Sequence, residues 1–266
     1  MDDQVFSLRN VTKTRPGAEA FRLRLARLDV PRGGLLALVG PSGCGKSTAL
    51  DMLACALRPD APSVPPTTET PSGTDALRAE ATRFLFRPVP GGEAVDVAAV
   101  WRRGGMDALA RFRLRRLGYV LQTGGLLPFL TAGENIALRS RSLGIWKQRR
   151  EAAAQLAQRL GIGHLLRKYP ATLSVGERQR MAIAAALAHG PSVVLADEPT
   201  AALDPCHAEG VLHLLAETAR EQDATVLMVT HNPEQARRTG FVLVEARTRR
   251  EAGGIVSTID QPGKER

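Results

Sequence analysis

Apolar and polar positions follow two patterns along the chain. Short apolar segments bounded by turn residues are typical of strands, and continuous apolar runs are typical of buried parallel strands. They predict strands at residues 5–8, 21–30, 35–39, 82–87, 94–100, 118–122, 193–196 and 225–229, with two more within 241–259. Helical spacing predicts helices within 48–57, 106–117, 131–170, 176–189 and 203–220. Strands that alternate with helices predict an α/β fold around a parallel sheet.

Residues 58–74 interrupt this alternation. They are rich in proline, serine and threonine, with Pro65 and Pro66 near the centre. Such a segment buries little apolar surface, so we interpret it as a mobile surface loop without an assigned function.

Composition narrows the class of protein. The chain has 266 residues, of which 44% are hydrophobic and 24% charged, as in ordinary globular proteins. No apolar run approaches the roughly 20 residues of a membrane-spanning helix, and the start, Met1 to Gln4, lacks the apolar core of a secretion signal. Three cysteines without a C-x-x-C pair argue against a zinc site or a disulfide framework, and favour reduced cytosolic thiols.

The net charge of +9 has two interpretations. It suits a partner that carries phosphates, such as nucleic acid or an anionic membrane surface. No basic segment is interleaved with aromatic residues, which make up only 4% of the chain. We therefore favour arginines spread over solvated faces and expect no nucleic-acid partner.

Residues 40–48 carry the strongest chemical signal. Gly40, four residues, Gly45, Lys46 and Ser47 follow one another between a predicted strand and a predicted helix, as in a P-loop. Glycines let consecutive backbone N–H groups surround a phosphate, and the new helix directs its N-terminus at the same anion. Lys46 is expected to reach the β- and γ-phosphates and Ser47 to bind Mg²⁺. The predicted nucleotide-binding residues here are Gly40, Pro41, Ser42, Gly43, Cys44, Gly45, Lys46, Ser47 and Thr48.

Polar residues also follow two other buried strands. Asp197 and Glu198 come directly after the run 193–196, so we expect them at the C-terminal sheet edge, where α/β sheets bind ligands. One carboxylate is suited to holding Mg²⁺ and the other to polarising an attacking water. His231 follows strand 225–229 and is a candidate to sense the γ-phosphate or to steady the transition state.

A second helix start has the residues of a capping box. Ser174 and Glu177 precede the alanine-rich helix at the required spacing, and capping alone is a sufficient explanation of them. The same helix start also offers N–H groups to a phosphate. Two such starts exceed what one nucleotide needs, unless each chain lends one to a neighbouring copy.

The order of these motifs resembles that of the ATP-binding subunits of ABC transporters, over nearly the whole chain. The matching segments are Walker A at 40–48, the Q-loop at Gln122, the signature at 173–177, Walker B at 193–198, the D-loop at 202–204 and the switch histidine at His231. Within that family, the chain most resembles the ATPases of the lipoprotein-release and macrolide-efflux group, by overall similarity that includes residues 196–204.

The resemblance implies one ABC ATPase domain over residues 1–266. A P-loop NTPase (RecA-like) core with a mostly parallel sheet, plus an N-terminal antiparallel β subdomain, would occupy 1–125 and 190–266. Residues 58–105 would be a long insertion in that part. An inserted α-helical subdomain that meets a membrane partner would occupy 126–189.

The resemblance also implies a head-to-tail dimer with two ATP molecules between the copies. Walker A of one copy would face Ser174 and Gly176 of the other, and Glu177 and Asp204 would join the nucleotide-binding residues. Glu198 would be the general base. The remaining implied roles are a Mg²⁺ and water contact for Gln122, a Mg²⁺ contact for Asp197, and a catalytic role for His231.

Two positions depart from the family pattern. Arg15 stands where an aromatic residue usually stacks on adenine. A guanidinium plane can also stack on a base, so Arg15 remains a predicted nucleotide-binding residue. Losing an aromatic stack costs about 1–3 kcal/mol by analogy with base–aromatic stacking, which puts adenine selectivity in question. In the signature, Val175 and Glu177 replace the commoner glycine and glutamine.

The favoured function is ATP hydrolysis that powers a separate transmembrane permease, from the inner face of the cell membrane. Export, or extraction of a lipoprotein or another hydrophobic substrate, is the expected task. An ATPase that regulates a non-transporting membrane complex, as in cell division, is the alternative. A soluble nucleic-acid- or ribosome-associated ABC ATPase is less favoured, because the sequence shows no long coiled coil, zinc module or second cassette.

Overall fold

A computed structural model describes residues 4–16, 20–61, 82–201, 203, 205–251 and 254–261. The strands are β1 Gln4–Arg15, β2 Phe21–Pro31, β3 Leu35–Val39, β4 Arg83–Phe86, β5 Val95–Asp96, β6 Leu117–Val120, β7 Val193–Asp197, β8 Thr225–Thr230, β9 Val242–Glu251 and β10 Gly254–Asp260. The α-helices are α1 Lys46–Leu53, α2 Val97–Arg102, α3 Met106–Arg116, α4 Ala132–Ser142, α5 Trp146–Arg159, α6 Val175–Leu187, α7 Pro205–Glu221 and α8 Pro233–Arg238. Short 3₁₀ turns cover Gly163–Leu165 and Pro170–Thr172.

The described strands form one sheet in the order β5-β4-β1-β2-β10-β9-β3-β8-β7-β6. Neighbours from β9 to β6 run parallel, whereas β5, β4, β1 and β2 pair antiparallel. Strand β10 joins the two parts, parallel to β2 and antiparallel to β9. The predicted α/β fold, with a parallel core and an N-terminal antiparallel part, is confirmed.

The central strands are buried on both faces because helices cover the sheet on both sides. In β3, Leu35, Ala37 and Val39 belong to a core shared with helices α4 to α7. Leu36 and Leu38 of the same strand point the other way, into a core shared with α1 and β2. Alternation along a strand thus divides one apolar run between two cores.

One predicted strand is wrong. Residues 94–100 form only the two-residue strand β5, and the chain then turns into α2. The Asp96 side chain accepts a hydrogen bond from Ala99 N (3.0 Å) and caps the helix. Val97 and Ala98 are buried against the core, so tertiary packing here outweighs the preference of valine for strands.

Other predictions fall partly or wholly outside the described residues. These are residues 62–74 of the predicted surface loop, Ala202 and Asp204 of the D-loop, and Gly253 between the two C-terminal strands. Those two strands are present as β9 and β10. No helix in the described part of the chain is both long and apolar enough to cross a membrane.

Helices α4, α5 and α6 pack on one another, and α6 also contacts β6. Thr131 and Glu134 form a capping box at the start of α4. Buried Asn135 accepts a hydrogen bond from Leu127 N (2.7 Å) and donates to the carbonyl oxygens of Leu127 and Leu130 (both 3.1 Å). The amide of one helix residue therefore fixes the loop that precedes that helix.

A histidine is buried where this helical layer meets the sheet. His189 follows α6 and is only 4% exposed. Arg139 of α4 donates to the carbonyl of Leu117, and Arg149 of α5 donates to that of Ala188 (3.2 Å). Burial, reinforced by the charges of Arg139 and Arg149, lowers the pKa of His189 to about 3. The ring is therefore neutral in the folded protein near pH 7.

We predict that this neutral ring makes the fold sensitive to acid. An unfolded histidine titrates near pH 6.5, so between that pH and about 3 the unfolded chain binds the extra proton. The contribution of His189 to stability is complete above pH 6.5 and falls by at most about 1.4 kcal/mol per pH unit below it. Urea unfolding of the wild type and His189→Gln at pH 7.5, 6.0 and 5.0 measures how steeply the free energy of unfolding falls with decreasing pH. This decrease should be shallower in the variant. His213→Gln, at an exposed position, is the control. Equal slopes in the wild type and His189→Gln would contradict the prediction.

Candidate functional site

The parallel strands bring the candidate residues to one edge of the sheet. Val39 pairs with Thr230, Asp197 pairs with Val229, and Val120 lies opposite Ala196. The segments that leave these strand ends carry, in sheet order, Gly40–Thr48, His231, Glu198 and Gln122. Ligands of open α/β sheets bind at this edge.

The loop before α1 depends on glycine at Gly45. This residue caps the helix in the left-handed conformation, with φ +89°, and supplies no side-chain hydrogen bond. A Cβ atom at Gly45 would lie 2.9 Å from Cζ of Phe21. The helix therefore begins with backbone N–H groups that no side chain caps, which is the arrangement that binds phosphate.

Lys46 lies folded against this loop. Its side chain is buried, and Nζ donates to the carbonyl oxygens of Gly40 (2.8 Å) and Pro41 (2.9 Å). The ammonium group is thus held inside the glycine loop by neutral acceptors, where it adds positive charge to the helix start.

A hydroxyl and a carboxylate meet beside the loop. Ser47 Oγ donates to Asp197 Oδ1 (3.1 Å), which joins the loop to the end of β7. Burial raises the pKa of Asp197 and the charges of Glu198 and Asp51 raise it further, while Ser47 and Lys46 act against that shift. Oxygen ligands close to several carboxylates suit a divalent cation such as Mg²⁺, so these residues fit the predicted metal.

Glu198 adopts a strained backbone conformation. Its φ is +46°, in the left-handed region, and its N–H donates to the carbonyl of Val229 (3.0 Å). Oε2 lies 3.4 Å from Nδ1 of His231. A non-glycine residue in this region costs roughly 1–3 kcal/mol and is frequent at functional sites. A cavity of about 180 Å³ adjoins Glu198 and His231.

The predicted capping box is present at the start of α6. Ser174 N donates to Glu177 Oε2 (2.7 Å), and Glu177 N donates to Ser174 Oγ (3.2 Å). These bonds lower the pKa of Glu177. A Cβ atom on Gly176 would lie 3.6 Å from Leu203, in the segment after β7. Across the described residues, no hydrogen bond or ion pair joins 173–177 to the glycine loop.

The remaining predicted residues lie at the margins. Gln122 occupies an exposed turn after β6 and, in the described part of the chain, makes no side-chain hydrogen bond. Arg15 is exposed at the end of β1, directly opposite Phe21 of β2. Asp204 lies outside the described residues. Sequence analysis missed Phe21, whose ring lies against Gly45 where α1 contacts β2.

The chain is similar to known proteins in family profile, in sequence and in structure. The profile of the family described as "ABC transporter" matches residues 23–201. The "Lipoprotein-releasing system ATP-binding protein LolD" of Myxococcus xanthus is 37% identical over 259 residues, covering 95% of this chain and 98% of that protein. The "Macrolide export ATP-binding/permease protein MacB" of Escherichia coli K12 is 37% identical over 210 residues, covering 79% of this chain but 28% of that protein.

Two related solved structures cover 90% of this chain at 30% sequence identity, and this chain matches 93% of each. The dimeric structure of MJ0796, a bacterial ABC transporter cassette, has a TM-score of 0.67. A post-hydrolysis dimer of the same cassette, bound to ADP and Pi, has a TM-score of 0.65.

We predict different costs for alanine at two glycines of the loop. Gly43 and Gly45 both have positive φ, but a Cβ atom at Gly43 meets no atom of the described residues within 4 Å. Gly43→Ala should therefore destabilise the fold only through its backbone, by about 1–2 kcal/mol. Gly45→Ala should destabilise it more, because its Cβ also meets the Phe21 ring. Urea unfolding without nucleotide measures the free energy of unfolding of both variants. An equal decrease in the two variants would refute the steric role of Phe21.

Proposed function

Because the chain belongs to the ABC transporter family and is an ATP-binding, ATP-hydrolysing subunit, we propose that it works as a head-to-tail dimer that powers a separate transmembrane permease. One observation carries the dimer: the second helix start, at Ser174, has no hydrogen bond or ion pair to the glycine loop in the described residues. A second copy would place its Ser174 and Gly176 against the nucleotide held by the first. The dimeric cassette MJ0796 supports this arrangement.

Each copy would hold the triphosphate through the glycine loop. Backbone N–H groups at the start of α1 would bind phosphate oxygens, and Lys46 would exchange the carbonyls of Gly40 and Pro41 for the β- and γ-phosphates. Ser47 and Asp197, with Gln122, would hold Mg²⁺. When bound, Mg²⁺ neutralises charge on the phosphates.

Glu198 would act as the general base. It would accept a proton from the water that attacks the γ-phosphorus, while the bond from that phosphorus to the bridging oxygen breaks to give ADP and phosphate. His231, 3.4 Å from Glu198, would orient the carboxylate and contact the γ-phosphate. The strained backbone at Glu198 would set the direction in which its side chain leaves the chain.

A groove beside Gln122 would receive the permease. It encloses about 220 Å³ between the turn after β6 and helices α4 and α6, and its lining includes Leu121 and Leu138. These side chains are 45% and 41% exposed, and nearby Phe129 is 70% exposed. Exposed apolar side chains of this kind mark interaction surfaces. Helices α4 to α6 would thus form the membrane-facing subdomain at residues 126–189, on the inner face of the membrane.

Extraction of a lipoprotein or export of another hydrophobic substrate is the proposed task. Its support is the similarity to LolD along almost the full length of both proteins. A substrate-flux assay in liposomes, with the co-purified permease, would separate transport from a purely regulatory role: absence of ATP-dependent flux would favour regulation.

We predict that Glu198→Gln lowers ATP hydrolysis by roughly 10²–10⁴-fold, because the general base is lost, while ATP binding is retained. ATP should then trap a dimer, detected by light scattering during size-exclusion chromatography. Adding Ser174→Arg to this variant should leave it monomeric although it still binds ATP. Glu234→Gln, at an exposed acid of α8, is the control for hydrolysis. Wild-type rates in Glu198→Gln, or dimers of the double variant, would overturn the assignment.

A further inference from the structure

We infer that Phe21 provides the aromatic surface on which the nucleotide base stacks, in place of the ring that is missing at Arg15. This inference rests on the proposed nucleotide site and assigns its base-binding end. It concerns the antiparallel part of the sheet.

The register of β1 and β2 places Phe21 at the rim of the glycine loop. Arg15 pairs directly with Phe21, so their side chains leave the same face of the sheet. The Phe21 ring lies against Gly45: a Cβ atom there would be 2.9 Å from Cζ and 3.2 Å from Cε1. Gly45 begins α1, where the phosphates are expected, so Phe21 and Arg15 border the phosphate site.

The ring is only partly covered by the protein. Phe21 packs on the core that contains Leu23 and Leu25, yet it keeps intermediate exposure. An apolar ring that stays partly in water beside a polar loop gains hydrophobic free energy when a flat ligand covers it. Phe21 is thus anchored by its packed side and available on the other.

Other aromatic residues are placed elsewhere in the described structure. Phe6, Phe84 and Phe86 are fully buried and pack on one another as a cluster. The rings of the helical layer are Phe129, Trp146 and Tyr169. The Phe21 ring lies against Gly45 of the glycine loop, and stacking on a base requires no hydrogen-bond donor from it.

Isothermal titration calorimetry of the full chain with two ligands tests the inference. AMP-PNP carries the base, whereas inorganic tripolyphosphate carries only phosphates. Phe21→Leu keeps apolar packing on Gly45 but removes the ring, and Phe21→Trp keeps a ring. We expect AMP-PNP affinity to fall about tenfold in Phe21→Leu, within the range of one base–aromatic stack. Tripolyphosphate affinity should change less than twofold, and Phe21→Trp should bind AMP-PNP like the wild type.

Arg15→Ala is the matched control, since it changes the opposite member of the pair and should weaken AMP-PNP less than Phe21→Leu does. Wild-type AMP-PNP affinity in Phe21→Leu would overturn the inference. Equal weakening of both ligands would also overturn it, because Phe21 would then only shape the loop. Failure of the wild-type chain to bind AMP-PNP would instead contradict the proposed function, so the two failures are distinguishable.

Discussion

Burial of the central parallel strands on both faces is the constraint on which the rest of the structure depends. Strand β3 and residues 226–229 of β8 are apolar because each of these residues faces one of two cores. Polar side chains are excluded until a strand ends. The glycine loop, Glu198 and His231 therefore occupy the first positions where the sheet allows them, at a common edge.

Unfavourable local features gather at that edge. Among the described contacts, buried Lys46 forms no ion pair with a carboxylate. Asp197 is half-buried near two other acids, and Glu198 has a left-handed backbone. Each of these features costs free energy in isolation, and the packed strands beneath supply the stability that maintains them.

The sequence predicts those features that depend on local order. Residues 40–48 and the Ser174–Glu177 box are defined by the spacing of residues close together in the chain, and the buried strands by continuous apolar runs. Helix α2 was missed because its first four residues are valine or alanine and its cap, Asp96, is a single short-range signal. The proximity of Phe21 to Gly45 could not be predicted, because no local pattern links these two segments. His231 was expected at the same sheet edge as the carboxylates, and its Nδ1 lies 3.4 Å from Oε2 of Glu198.

The hydrogen bonds of Lys46 bear on how the proposed ATPase site would release phosphate. With Gly40 and Pro41 as partners, the ammonium group already has neutral acceptors, so a phosphate that binds it must displace them. The gain on binding is then a difference between two satisfied states, smaller than the attraction between a free cation and an anion. When the γ-phosphate leaves, the same carbonyls would accept the hydrogen bonds of Lys46 again. The ammonium group would then have acceptors both with and without bound phosphate, so the loop would release phosphate without leaving a buried charge unpaired.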